Sequence, residues 1–159
     1  MLGFLAWLDD TQLSHWVAET TWVYPLLETM HTIGMALLIG SLGLIDLRVL
    51  GFKPELPLLE TQRLLPLAWL GFTLNAVSGT LLFVSDSVMF YSSYTFRIKI
   101  ALIILGGINA ALLGRQVFQT PAAGAPPSAP TKGAKWVAGT SLVFWFGAII
   151  AGRLIAYTP

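Results

Sequence analysis

The stretch YPLLETMHTIGMALLIGSLGLID, residues 24–46, decides the fold. Its 23 residues hold only two formally charged groups, Glu28 and Asp46, and a helix rising 1.5 Å per residue over that length crosses the roughly 30 Å of a bilayer's hydrocarbon. Tyr24-Pro25 opens it, since proline is tolerated in a first helical turn, and Asp46-Leu47-Arg48 closes it before Gly51 and the Pro54/Pro57 loop. Three further stretches meet the same length criterion: 64–84, 97–117 and 136–157. The second has Pro66 near its start and ends at Ser85-Asp86-Ser87. The third follows the connector Tyr91-Ser92-Ser93-Tyr94, and the fourth runs from Trp136 to Tyr157, with aromatic residues near both ends as an interfacial belt predicts. The expected fold is all-α: one membrane domain, 1–159, forming an integral four-helix bundle.

Composition agrees. The chain is 55% hydrophobic and 11% charged, with a mean hydropathy of +0.73, too apolar a surface for a water-soluble fold of 159 residues. A net charge of +1 with dispersed basic residues excludes an electrostatic footprint for nucleic acid. The absence of cysteine excludes disulfides, thiolate metal sites and thiol catalysis. The run Met1–Leu8 is too short for a signal-peptide core and is followed by Asp9 and Asp10, so it is expected to be retained.

Lys and Arg counts set the expected orientation. Arg48, Lys53, Arg63, Arg115, Lys132 and Lys135 lie in the 1–2 and 3–4 connections, against Arg97, Lys99 and Arg153 on the other side. Six against three puts those two loops in the cytoplasm and both termini on the periplasmic side of a bacterial inner membrane. Residues 118–135, carrying Pro121, Pro126, Pro127 and Pro130, read as a flexible or polyproline-like linker. Residues 2–21 read as short amphipathic interfacial helices, with Asp10 as a cap and Leu13, Trp16 and Val17 at helical spacing. They would be either a membrane foothold or a lid.

Ionisable groups at membrane depth are costly, which makes each a functional candidate. His31 lies about two turns inside helix one, with Tyr24, Glu28, Met35, Leu38 and Leu42 on its face. Lys99, preceded by Arg97, lies about one turn into helix three, Arg153 about one turn from the end of helix four, and Asn75, Ser78 and Thr80 in helix two. All four helices thus place polar groups in the outer half, while the inner half is mainly aliphatic with Asn109 the chief exception. Asp46 and Arg48 read as an ion pair or headgroup contact at the cytoplasmic interface.

One outward-opening polar pocket accounts for this pattern. A neutral imidazole in an apolar helical environment suits the axial ligand of a b-type haem, with Arg97, Lys99 and Arg153 for propionates and Glu28 orienting the ring. His15, Lys99 or Met35 are the candidates for a second axial ligand. Equally, His31 could simply hydrogen-bond Glu28 or a neighbouring helix as packing glue. A copper site would want more Met, Cys or His ligands than Met30, His31 and Met35 supply. The helix glycines, Gly34, Gly40, Gly43, Gly106, Gly107, Gly147 and Gly152, read as packing contacts.

The segment Tyr24-Pro25-Leu26-Leu27-Glu28-Thr29-Met30-His31, with Gly34, Gly40, the exit Asp46–Gly51 and Phe96-Arg97-Ile98-Lys99, Gly107 and Asn109, resembles a family of small bacterial four-helix inner-membrane proteins. Its skeleton of an early-helix histidine and a lysine opening a later helix also resembles HemJ-type protoporphyrinogen oxidases and copper-resistance D membrane proteins. That resemblance implies association with haem and functional roles for His31 and Lys99. The chain departs from the HemJ pattern in lacking a second intramembrane histidine and in the Thr-Met-His-Thr-Ile-Gly surroundings of His31. The expected function is therefore haem b binding with electron transfer to quinone or a periplasmic redox partner, in a homo-oligomer. A cofactor-free accessory subunit and a copper-handling or transport protein are the alternatives.

Overall fold

The computed structural model describes residues 1–118 and 129–158, and among them every regular element is helical. Helices α1 (Leu2–Asp9) and α2 (Gln12–Glu19) precede α3 (Val23–Leu50). A 3₁₀ segment (Leu58–Leu64) leads into α4 (Leu65–Val84), followed by α5 (Ser87–Ser92), α6 (Tyr94–Val117) and α7 (Lys132–Leu154), which ends in a 3₁₀ turn, Ile155–Tyr157. Four helical segments, Val23–Leu50, Leu58–Val84, Tyr94–Val117 and Lys132–Tyr157, are long and apolar enough to cross a membrane. Only 17–33% of the apolar 18-residue stretch in each is buried within the chain. The remaining surface carries side chains such as Ile33, Leu70, Ile104, Val143 and Ile150, which only an apolar solvent would tolerate at this density.

The helices extend beyond the expected spans because polar side chains cap them. Thr131 accepts from the Ala134 amide and starts α7 four residues early, while Ser93 accepts from the Phe96 amide and starts α6 at Tyr94. The α3 helix continues past Asp46 to Gly51, whose left-handed φ of 111° ends it and lets Gly51 and Phe52 amides close on the Arg48 and Leu47 carbonyls. Asp10 does not cap α2. Thr11 holds that position, accepting from the Ser14 amide, and Asp10 instead follows the end of α1. A further short helix, α5, capped by Asp86, follows the second span and runs into the first two residues of the tyrosine-rich connector. The proline-bearing linker falls largely outside the described residues.

Packing is pairwise: α3 lies along α4, α6 along α7, and α3 against α7. Ile45, Val49, Leu113, Ala134 and Ala138 make one buried cluster at the Asp46 end; Leu38, Ala68 and Trp145 make another near mid-span. At the opposite end α1 is fastened to α5. The Asp9 carboxylate accepts from the Ser87 amide and hydroxyl, each at 2.6 Å, and from the Val88 amide at 3.2 Å. Burial works against the charge of Asp9, but these hydrogen bonds outweigh it and hold the carboxyl below the ordinary aspartate value.

Asp46 is not at an interface. Its side chain is 1% exposed, its polar neighbour is Ser141 of α7, and its Oδ2 has no hydrogen-bond partner among the described residues. Arg48 turns away to the carbonyls of Pro54 and Leu56. With Ser41 and Ser141 also buried, the Asp46 end is more polar inside than its aliphatic sequence suggests.

Candidate functional site

The site begins where α3 and α4 touch through glycine. A Cβ on Gly71 would stand 2.5 Å from the Leu38 backbone nitrogen and 2.7 Å from the Gly34 carbonyl oxygen; one on Gly34 would stand 2.9 Å from the Gly71 carbonyl oxygen. Backbone therefore meets backbone, a spacing that any side chain would prevent. On α4 the residues Gly71, Asn75 and Ser78 follow at i, i+4 and i+7 and share the face turned to α3. One to two turns from the crossing, this brings Ser78 to His31.

The hydrogen bonds there set the direction of the contact between the imidazole and Ser78. Ser78 Oγ lies 2.6 Å from the Leu74 carbonyl oxygen, so its single proton is donated to that carbonyl. His31 Nδ1 lies 2.9 Å from the same Oγ and must therefore donate its own proton to it. Nδ1 thus carries a hydrogen, and Nε2 has no hydrogen-bond partner among the described residues; in the neutral ring it keeps a lone pair. Gly79 makes room for the ring: a Cβ there would approach His31 Cε1 to 3.1 Å.

Lys99 of α6 reaches the same space. Its stem lies over Gly152 of α7, where a Cβ would sit 3.4 Å from Cε and Nζ, and the ammonium has no ion pair or hydrogen bond among the described residues. His31 and Lys99 both line two adjoining cavities, of about 350 Å³ and about 550 Å³, sharing Met35, Gly79, Phe83 and Phe96 as walls. These volumes fall in the range of small-molecule sites. The larger lobe runs toward the α5 end past Tyr24, Glu28 and Arg153; the smaller runs toward mid-span past Asn75, Phe72, Ile103 and Trp145.

Of the residues singled out from sequence, His31, Met35 and Lys99 line both lobes, Asn75 the smaller, and Glu28 and Arg153 the larger. Glu28 is exposed and does not orient His31; Ser78 does. Asn75 Nδ2 donates to the Gly71 carbonyl, and the Arg153 guanidinium lies 5.9 Å from the Tyr157 ring centroid. Arg97 stands outside both lobes, donating to the Tyr91 carbonyl and covering that ring. His15 is likewise outside, 56% exposed and 2.7 Å from Glu19, so it is no companion to His31. Among the described residues no three His, Cys, Asp or Glu side chains gather as a metal cluster.

Two contributors escaped the sequence. Ser78 was visible as a polar residue but not as the acceptor for His31, a pairing set by the Gly34–Gly71 crossing. Phe83, Phe90 and Phe96 form an aromatic triad with ring centroids 5.5–6.3 Å apart, joining α4, α5 and α6 above the cavity. Comparison with protein-family models, curated proteins and solved structures gives no match.

Proposed function

We propose that this chain is an integral membrane b-type haem protein that transfers electrons. The observation that carries the reading is His31, whose Nδ1 proton is committed to Ser78, so that in the neutral imidazole the Nε2 lone pair is left to the cavity. Metal-ligating histidines are arranged in this way, one ring nitrogen donating to a fixed acceptor and the other free for the metal. The donor set fits the group further, because Lys99 supplies an ammonium with no ion-pair partner among the described residues, which suits a carboxylate carried in by the ligand. Arg153 at the rim of the larger lobe suits a second carboxylate. Bound iron would supply reversible one-electron exchange; the chain's own part is to orient the ligand, neutralise its carboxylates and exclude water.

In this reading the four spans form a bundle in a bacterial inner membrane, with the cavity toward the periplasmic side and α1 and α2 lying in that interface. Association of copies through the exposed glycine-bearing faces belongs to the same proposal. Purified protein from haem-replete cells is expected to show a Soret band that His31→Ala abolishes. A colourless wild type, with His31→Ala folding normally, would return the chain to the class of cofactor-free accessory subunits.

A further inference from the structure

The smaller lobe has an opening of its own. While α3 packs on α4, α6 on α7 and α3 on α7, the helices α4 and α6 make no comparable contact. They meet at the α5 end through the stacked rings of Phe83 and Phe96, 5.5 Å apart with planes inclined by 17°. Beyond this aromatic bridge the lobe is walled by Phe72 and Ala76 on one side and Ile100 and Ile103 on the other. Phe72 and Ile100 are 41% and 40% exposed, on the apolar mid-span stretches of their helices, so the gap between α4 and α6 faces hydrocarbon rather than water.

We infer that this lobe is a lateral binding site for a membrane-dissolved quinone. An occupant entering from hydrocarbon must be soluble there, which excludes polar metabolites. An anchored phospholipid keeps its headgroup at the interface, so it cannot present polar atoms at mid-span. The polar groups bordering the lobe offer donors and acceptors together: the Lys99 ammonium and the Asn75 amide, the His31 Nε2 and the Thr80 hydroxyl oxygen, with the Trp145 indole N–H buried beside them without a hydrogen-bond partner among the described residues. They call for an apolar body carrying oxygens that accept when oxidised and donate when reduced. The faces of Phe72, Phe96 and Trp145 suit a flat ring, and the open side leaves an isoprenoid tail in the bilayer. The lobe's volume of about 350 Å³ is of the right order for a ring and the start of its tail. The inference rests on the redox reading for its purpose, and because the lobe shares His31 and Lys99 with the haem reading, its test compares haem-free with haem-loaded protein.

The test titrates decylubiquinone into purified protein in lipid nanodiscs and follows tryptophan fluorescence, using protein made in haem-depleted cells as well as haem-replete ones. Saturable quenching is expected in both preparations, much reduced in Trp145→Phe. Ala76→Phe, which fills the lobe, is expected to weaken binding at least tenfold, whereas Val77→Phe on the adjacent lipid face leaves it unchanged. Quenching that rises linearly with the quinone-to-lipid ratio and is the same in Ala76→Phe as in wild type reflects partition alone and overturns the inference. Should Ala76→Phe not fold, an azido-quinone photoprobe on wild type decides: label on α4 and α6 peptides supports the site, and label spread over all spans refutes it. Saturable quinone binding in a colourless protein would sink the haem reading while leaving this one standing; a haem protein with only partition quenching would do the reverse.

Discussion

Replacing Gly71 by alanine should damage the site without touching any residue in it. The new Cβ would fall 2.5 Å from the Leu38 nitrogen and 2.7 Å from the Gly34 carbonyl, where carbon contacts of about 3.5 Å or more are comfortable. Both obstacles are backbone, so α3 and α4 have to part by about 1 Å. Overpacking of this kind costs about 1–3 kcal/mol, and alanine's helix propensity returns at most about 1 kcal/mol. With that return in full, a net loss of up to about 2 kcal/mol follows. The same movement lengthens the 2.9 Å contact between His31 and Ser78 past hydrogen-bond range, freeing the imidazole to change tautomer. Gly107→Ala is the control, because nothing lies within 4 Å of the Cβ it would add. It should be neutral or up to about 1 kcal/mol stabilising. Equilibrium unfolding in detergent would compare the two variants, with haem retention as the second readout. If both variants unfold like wild type and Gly71→Ala keeps its ligand, the close crossing and the reasoning built on it are wrong.

Ser78→Ala removes the one acceptor of the Nδ1 proton among the described residues; a 10–100-fold loss in haem affinity is expected, measured by transfer to apomyoglobin, and an unchanged affinity would separate Ser78 from ligation. The carboxylate of Asp9 is held below its unfolded value, so its contribution is present above about pH 4 and disappears as pH falls through the lower folded value. Protection of the Ser87 and Val88 amides, taken relative to intrinsic exchange, should therefore fall as pH drops below about 4 and be low in Asp9→Ala at every pH; protection that ignores both changes would show α1 is held otherwise. Asp46→Asn keeps the side-chain volume of a buried acid whose Oδ2 has no partner among the described residues, and it should unfold no earlier than wild type, gaining up to about 1 kcal/mol. Earlier unfolding would mean that the carboxylate is partnered in the membrane.

Four spans were legible because hydrocarbon thickness imposes a length on apolar stretches, and no tertiary contact can relax it. Their ends were not, because Thr131, Ser93 and Gly51 act through local cap geometry that hydropathy does not register. Depth along each helix sufficed to bring His31 and Lys99 to one cavity. It could not tell a side chain that faces the cavity from one that turns along the surface, which is why Arg97 and His15 fall outside. Glu28 lay at the right spacing for His31, yet a contact between helices won: the glycine crossing delivers Ser78 to the ring. Asp46, taken for an interfacial residue from its neighbour Arg48, is buried because α3 continues a full turn beyond it to Gly51.

The central claim is that His31 Nε2 is a free, correctly oriented ligand for iron. An absorbance spectrum tests it most directly, taken on wild type and His31→Ala purified side by side from haem-replete cells and adjusted to equal folded protein. The expected result is a Soret band that sharpens and shifts on reduction in wild type and is lost in His31→Ala. Equal bands in the two proteins, or none in either, would contradict it.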